Sequence, residues 1–121
     1  MDDMKYSILL LTQSTPKWLS FSKEYRSRIF SEIVYPLLQK YTDRLNIQVF
    51  SAEAFHANVS DYLLVETIDM EYYYRFIQEL KSSKIFSEEL FILKDVIVSA
   101  ENGFREFNEK FKAKQHSTSL N

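Results

Sequence analysis

The sequence predicts an α+β fold of the ferredoxin-like type, β-α-β-β-α-β, with a four-stranded antiparallel sheet, both helices on one face, and a further helix at the C-terminus. Three observations predict it. Four short apolar runs alternate, in that order, with two stretches whose apolar residues recur every three to four positions. The second and third runs lie close enough in sequence to form a hairpin. A chain of 121 residues, 45% hydrophobic and 26% charged, suits one globular domain. That domain is expected over 1–113, followed by a polar, frayed tail over 114–121.

Lys5 to Gln13 reads as the first strand. Ile8, Leu9, Leu10 and Leu11 are consecutive, so both of its faces are apolar. Trp18 falls in the loop behind it, after Thr15 and Pro16. Ser22 is a candidate N-cap, with Glu24 in the first turn complementing the helix dipole. The helix beyond carries Ile29, Phe30, Ile33, Val34, Leu37, Leu38 and Tyr41, a stripe of period 3.6. Pro36 lies inside that stripe, removes one hydrogen bond to the Glu32 carbonyl, and predicts a kink.

Ile47 to Ala54 is the second strand and Tyr62 to Thr67 the third, joined through a turn containing Asn58. Asp69 is the expected N-cap of the second helix, whose apolar face is Met70, Tyr73, Tyr74, Ile77 and Leu80. That helix is expected to end in the polar Lys81–Lys84 stretch. Phe91 to Val98 is the fourth strand. Phe104, Phe107 and Phe111 mark a short C-terminal helix after Gly103.

Composition excludes several chemistries. There is no cysteine, hence no disulfide, thiol nucleophile or Cys-type metal site. A single glycine cannot build a phosphate-cradling loop. With two histidines, a three-histidine metal site cannot form within one chain, and no metal site is expected. A net charge of −2 advertises no nucleic-acid partner. Asp2 and Asp3 stand where a secretory signal needs positive charge, and the Ile8–Leu11 run is too short to span a bilayer, so the expected location is cytoplasmic, without membrane association.

Two helices cover one face of such a sheet. The first strand is apolar on both sides, and Tyr62, Leu64, Phe91 and Leu93 are counted with it. A bare face of this kind is a larger apolar patch than soluble monomers carry, so a homodimer packed sheet to sheet is expected. The alternative is that the C-terminal helix folds back over the face with Phe104, Phe107 and Phe111.

The polar residues that could carry chemistry gather around the hairpin: Glu53, His56, Asp61 and Glu66. A histidine near carboxylates can act as a general base. Against this, hairpin ends are polar in any case and Asp61 can simply bond turn amides. Glu66 shares a strand face with Tyr62 and Leu64 by period two, and a carboxylate on an interior face requires a partner. Trp18 can wall a pocket or plug the core. The candidate ligand-binding residues are thus Glu66, Asp61, Tyr6, Tyr62, Trp18 and His56. Catalytic residues are not assigned.

The segments TPKWL (15–19), FSAEAFHANVSDYLLVET (50–67), EYYYRFIQELKSSKIF (71–86) and ENGFREF (101–107) resemble the darcynins, a family of small bacterial proteins. The resemblance runs from Tyr6 to Phe107, and its most specific part is the AEAF-x-A-x-x-SD core ending at Asp61. The family has no established activity, so the resemblance implies a fold and carries no catalytic residue over. At fold level it implies the dimeric α+β barrel group, which includes cofactor-free monooxygenases, small isomerases and haem-binding enzymes. Haem would need an axial ligand, for which His56 is the candidate; no cofactor is expected.

Two readings follow. In one, the chain is a homodimer that binds a small apolar or aromatic molecule in the sheet interior, with or without a cofactor-free monooxygenase-like or isomerase-like reaction. In the other, it is a structural or interaction module whose aromatic side chains fill the interior. A cavity of about 300 Å³ or more with convergent polar groups favours the first, and a solid interior the second.

Overall fold

A computed structural model describes residues 4–100 of the chain. Strand β1 (Tyr6–Ser14) leads into a short helix α1 (Pro16–Leu19). A continuous helical segment follows: α2 (Lys23–Ile29), a π-helical turn (Phe30–Val34) and α3 (Tyr35–Lys40). Then come β2 (Asn46–Ser51), β3 (Asp61–Thr67), α4 (Met70–Ser82), α5 (Lys84–Ser87) and β4 (Phe91–Ala100). The sheet order is β2-β3-β1-β4, antiparallel throughout, which is the ferredoxin-like arrangement. The expected helix at Phe104–Phe111 and the tail lie outside the described residues.

Both expected caps form. The Ser22 hydroxyl accepts from the Tyr25 amide at 3.1 Å, and the Asp69 carboxylate from the Tyr72 amide at 3.4 Å. Pro36 shows its effect one turn earlier than a simple kink. The Tyr35 amide reaches back to the Phe30 carbonyl, and this wider turn brings the chain into Pro36 at the first turn of α3, where its missing N–H is tolerated.

Alternation along the strands sorts the sheet into two faces. Ile8 and Leu10 of β1 and Val65 of β3 face the helices and are fully buried. They pack with Leu37 and Tyr41 of the first helical segment and with Tyr73, Phe76, Ile77 and Leu80 of α4. Burying each such side chain contributes about 1.5–3 kcal/mol. Phe76 takes the inward place expected of Tyr74, which is exposed, because positions 73, 76, 77 and 80 share one face of the helix.

Four further expectations are corrected. Trp18 lies on a helical turn, α1, capped by Thr15, and not in a loop. β2 stops at Ser51, and Phe55 beyond it is solvent-exposed. The chain after α4 breaks at Ser83 and starts a second turn, α5. Phe91 and Leu93 belong to the helix-covered face. A bulge in β4 makes the difference: Leu11 pairs with Asp95 and Thr12 with Leu93, so Lys94 is an extra residue that reverses the alternation. Ile92 and Ile97 stand on the opposite face in their place, both substantially exposed.

That opposite face carries Leu9 and Leu11 of β1, Leu64 and Tyr62 of β3, Phe50 of β2 and Ile97 of β4. Phe50 and Tyr62 are cross-strand partners whose rings stack at 4.8 Å.

Candidate functional site

A cavity of about 220 Å³ lies between the sheet and the helices, at the end of the sheet where β1 runs into α1. Its sheet wall includes Thr12 of β1, Val49 of β2 and Asp61 and Leu63 of β3. Arg26, Phe30, Val34 and Leu38 form the helical wall, and Ile85 and Phe86 of α5 close the far side. Trp18 and Phe91 stand beside each other in the wall, their rings 5.0 Å apart. Other grooves, such as those beside Lys40 and Arg44, lie on the outer surface.

Three charged groups converge on this mostly apolar space. Asp61 is half-buried, and its burial pushes the carboxyl up from the usual carboxylate range. A hydrogen bond from the Ser60 hydroxyl acts against that rise, and the nearby Glu53 charge adds to it. Arg26 donates from Nη2 to the Leu19 carbonyl at 2.8 Å, which ties α2 to the end of α1. Its Nε is buried and has no partner among the described residues. Thr12 and Ser14 also line the cavity, but the Thr12 hydroxyl donates to the Asp61 carbonyl, and the Ser14 amide donates to the Ser60 hydroxyl at 2.8 Å.

The candidate residues from the sequence divide between four places. Asp61 and Trp18 line the cavity, with Glu53 beside Asp61. Glu66 and Tyr62 are on the other face of the sheet. Glu66 accepts from the side-chain Nδ2 of Asn46 at 3.3 Å and pairs with Lys5 at 3.7 Å, so it has the partners that its position demands. Asp61 and Glu66 are five residues apart on one strand, about 17 Å, and point to opposite faces. Tyr6 faces the helices and packs against the core, paired with Thr67 and Ala100 far from the cavity. His56 is exposed in the β2–β3 loop, where its Nδ1 accepts from the Asn58 amide at 3.1 Å.

Of the charged side chains lining the cavity, Arg26 is the one not among the sequence candidates. A signal existed: Arg26, Phe30, Val34 and Leu38 are spaced by four, so the arginine heads an apolar row that continues along one helix face.

The fold is that of a ferredoxin-like domain, with a cavity between its helices and its sheet. Solved structures of the chlorite dismutase from Candidatus Nitrospira defluvii share this fold. A tryptophan variant superposes with a TM-score of 0.70 at 11% identity, over 93% of this chain and 47% of that one. An arginine-to-lysine variant gives 0.70 at 10%, over 100% and 51%. The chain therefore spans about half the length of the enzyme that it matches.

The chain belongs to the darcynin family: the family model, described as a domain of unknown function, matches residues 3–114. The darcynin of Chromobacterium violaceum is 33% identical over 73 residues, 60% of this chain and 91% of that protein. A darcynin homolog from Granulibacter bethesdensis is 22% identical over 98 residues, 81% and 78% of the two chains.

The residues of the cavity do not fit a haem. No histidine, tyrosine or methionine is among those lining it, so the usual axial-ligand side chains are missing there. Among the described residues there is no group of three side chains able to hold a metal ion, and no helix is long and apolar enough to cross a membrane.

Proposed function

We propose that the protein binds a small, mainly apolar or aromatic molecule, and that it does so as a homodimer. The observation that carries the first part is the helix-side cavity, where Trp18, Phe30, Phe86 and Phe91 supply ring surfaces and Asp61 and Arg26 supply polarity. At about 220 Å³ it is smaller than the roughly 300 Å³ set out above as favouring a small-molecule site, yet exceeds the roughly 150 Å³ apolar cavity that admits benzene. One substituted ring is the occupant of matching size. The site expected between two sheets moves, in this reading, to the space between sheet and helices.

Titration with cumene, followed by the methyl resonances of Val34, Leu38 and Leu63, tests it. Saturable shifts confined to those methyls are expected, and Leu63→Trp should abolish them by filling the space. Shifts spread over the surface, or unchanged in Leu63→Trp, would remove the cavity as a binding site.

Dimerisation is supported by the apolar sheet face, on which Phe50 and Ile97 remain substantially exposed in the single chain. Sedimentation at micromolar concentration should give about twice the chain mass of 14.4 kDa. A monomer there would overturn this part alone.

A further inference from the structure

We infer that the cavity selects an uncharged aromatic ketone or aldehyde: a ring whose carbonyl oxygen accepts a hydrogen bond from Nε of Arg26. This inference rests on the cavity being a ligand site, as proposed above, and adds the chemistry of the ligand.

Arg26 Nε–H is a buried donor with no partner among the described residues, on a side chain that lines the cavity. Buried donors are nearly always satisfied, because an unmade hydrogen bond to a desolvated group is costly. The side chain is also held in place, since its Nη2 is committed to the Leu19 carbonyl at 2.8 Å. The guanidinium is thus anchored at Nη2, while its Nε–H is shut off from solvent and unpaired, a donor that a ligand oxygen reaches by displacing the wall beside it. The walls around it are apolar and aromatic. One acceptor on an otherwise apolar body matches one donor in an otherwise apolar space.

Charge argues for a neutral acceptor. Glu53 and Asp61 share the cavity with Arg26, and two carboxylates against one guanidinium disfavour an anionic ligand. Arg26 itself disfavours a cation. Volume limits the body to a single ring with a short substituent.

The experiment compares acetophenone with cumene, which has nearly the same shape without the oxygen, and with benzoate, which carries charge. Affinities are measured on the full chain and on Arg26→Met, which keeps the stem and removes the donor. The wild type should bind acetophenone about tenfold or more tightly than cumene, the range of a hydrogen bond to a charged donor. Benzoate should bind more weakly than acetophenone. Arg26→Met should bring acetophenone down to the level of cumene measured on the same variant. Should that variant fail to fold, the Nε–H proton resonance of Arg26 in the wild type supplies the test. It should move with acetophenone and stay in place with cumene. Equal binding of the two rings by the wild type, a preference that survives in Arg26→Met, an unmoved Nε–H, or tighter binding of benzoate would each overturn the inference while leaving the cavity a ligand site. Failure of all three compounds to bind would remove both.

Discussion

The hydroxyl of Thr15 donates to the carbonyl of Glu89 at 2.7 Å, with the Leu90 carbonyl alongside at 3.0 Å. The Thr15 amide also reaches the Leu90 carbonyl at 3.1 Å. One buried residue after β1 thereby clamps the turn that feeds β4, and it caps α1 as well. The clamp sets Trp18 against Phe91, which is one wall of the cavity.

Thr15→Val keeps the shape of the side chain and removes both the cap and the donor. It should cost about 1–3 kcal/mol in chemical denaturation, since buried carbonyls lose a partner. The fluorescence of Trp18 should change as the wall loosens. A variant with unaltered stability would show that the clamp is passive.

Glu89 holds a positive φ of 56°, the sole non-glycine in that region among the described residues. The left-handed conformation lets the Leu90 amide close back on the Ile85 carbonyl at 3.0 Å. Glu89→Gly should leave stability unchanged or raise it by up to about 1 kcal/mol, because glycine takes this conformation without steric cost. A clear loss in a denaturant titration would mean that the glutamate side chain contributes more than the backbone strain it brings.

Asp61 is destabilised as an anion by burial, so its folded-state pKa lies above the unfolded one. Folding is then favoured by its protonation: the contribution is greatest below the unfolded value and declines as pH rises through the folded one. Asp61→Asn should accordingly raise the melting temperature at pH 7, with the advantage shrinking as the pH is lowered into the carboxylate range. A lower melting temperature at pH 7 would show that the charge is well paired. A costly carboxylate kept beside a cavity fits a site where stability yields to binding.

Tyr41 and Glu79 join α3 to α4. The tyrosine hydroxyl donates to Glu79 at 2.5 Å, and Lys40 reaches the same oxygen at 2.7 Å. Burial and then the carboxylate push Tyr41 up to about 12, while Lys40 and the tyrosine hold Glu79 below its usual range. The two signs work at opposite ends of the pH scale. Tyr41 stabilises fully below its unfolded value near 10 and loses that contribution as pH rises towards 12. Glu79 contributes above its unfolded value near 4.5 and loses it as pH falls below. Tyr41→Phe should cost about 1 kcal/mol at neutral pH and flatten the alkaline limb between pH 10 and 12. An unchanged alkaline limb would assign that limb to other groups.

Glu66→Gln should shift stability by no more than about 1 kcal/mol, because its ion pair with Lys5 is partly exposed and its bond from Asn46 can persist. It should leave ring binding in the cavity unaltered, since the sheet lies between them. Weakened binding would place the ligand on the other face.

The sequence by itself determined the order of elements, the two main helix caps, the hairpin and the doubly apolar first strand. These follow from local periodicity and from single side chains bonding backbone a few residues away. It also singled out Asp61 and Trp18, which come to line the cavity, because a carboxylate at a strand end and an indole after a turn are locally conspicuous. Only the tertiary structure decided which of the polar residues meet. Period two sends Asp61 and Glu66 to opposite faces, and Tyr6 joins the core because its parity matches Ile8 and Leu10. One extra residue at Lys94 turned Phe91 into a cavity wall, and nothing local in the sequence sets a bulge, which depends on the register with β1. Arg26 became visible as a donor without a partner only once its surroundings were packed, since whether a polar atom is satisfied is a property of everything around it and not of its own position in the chain.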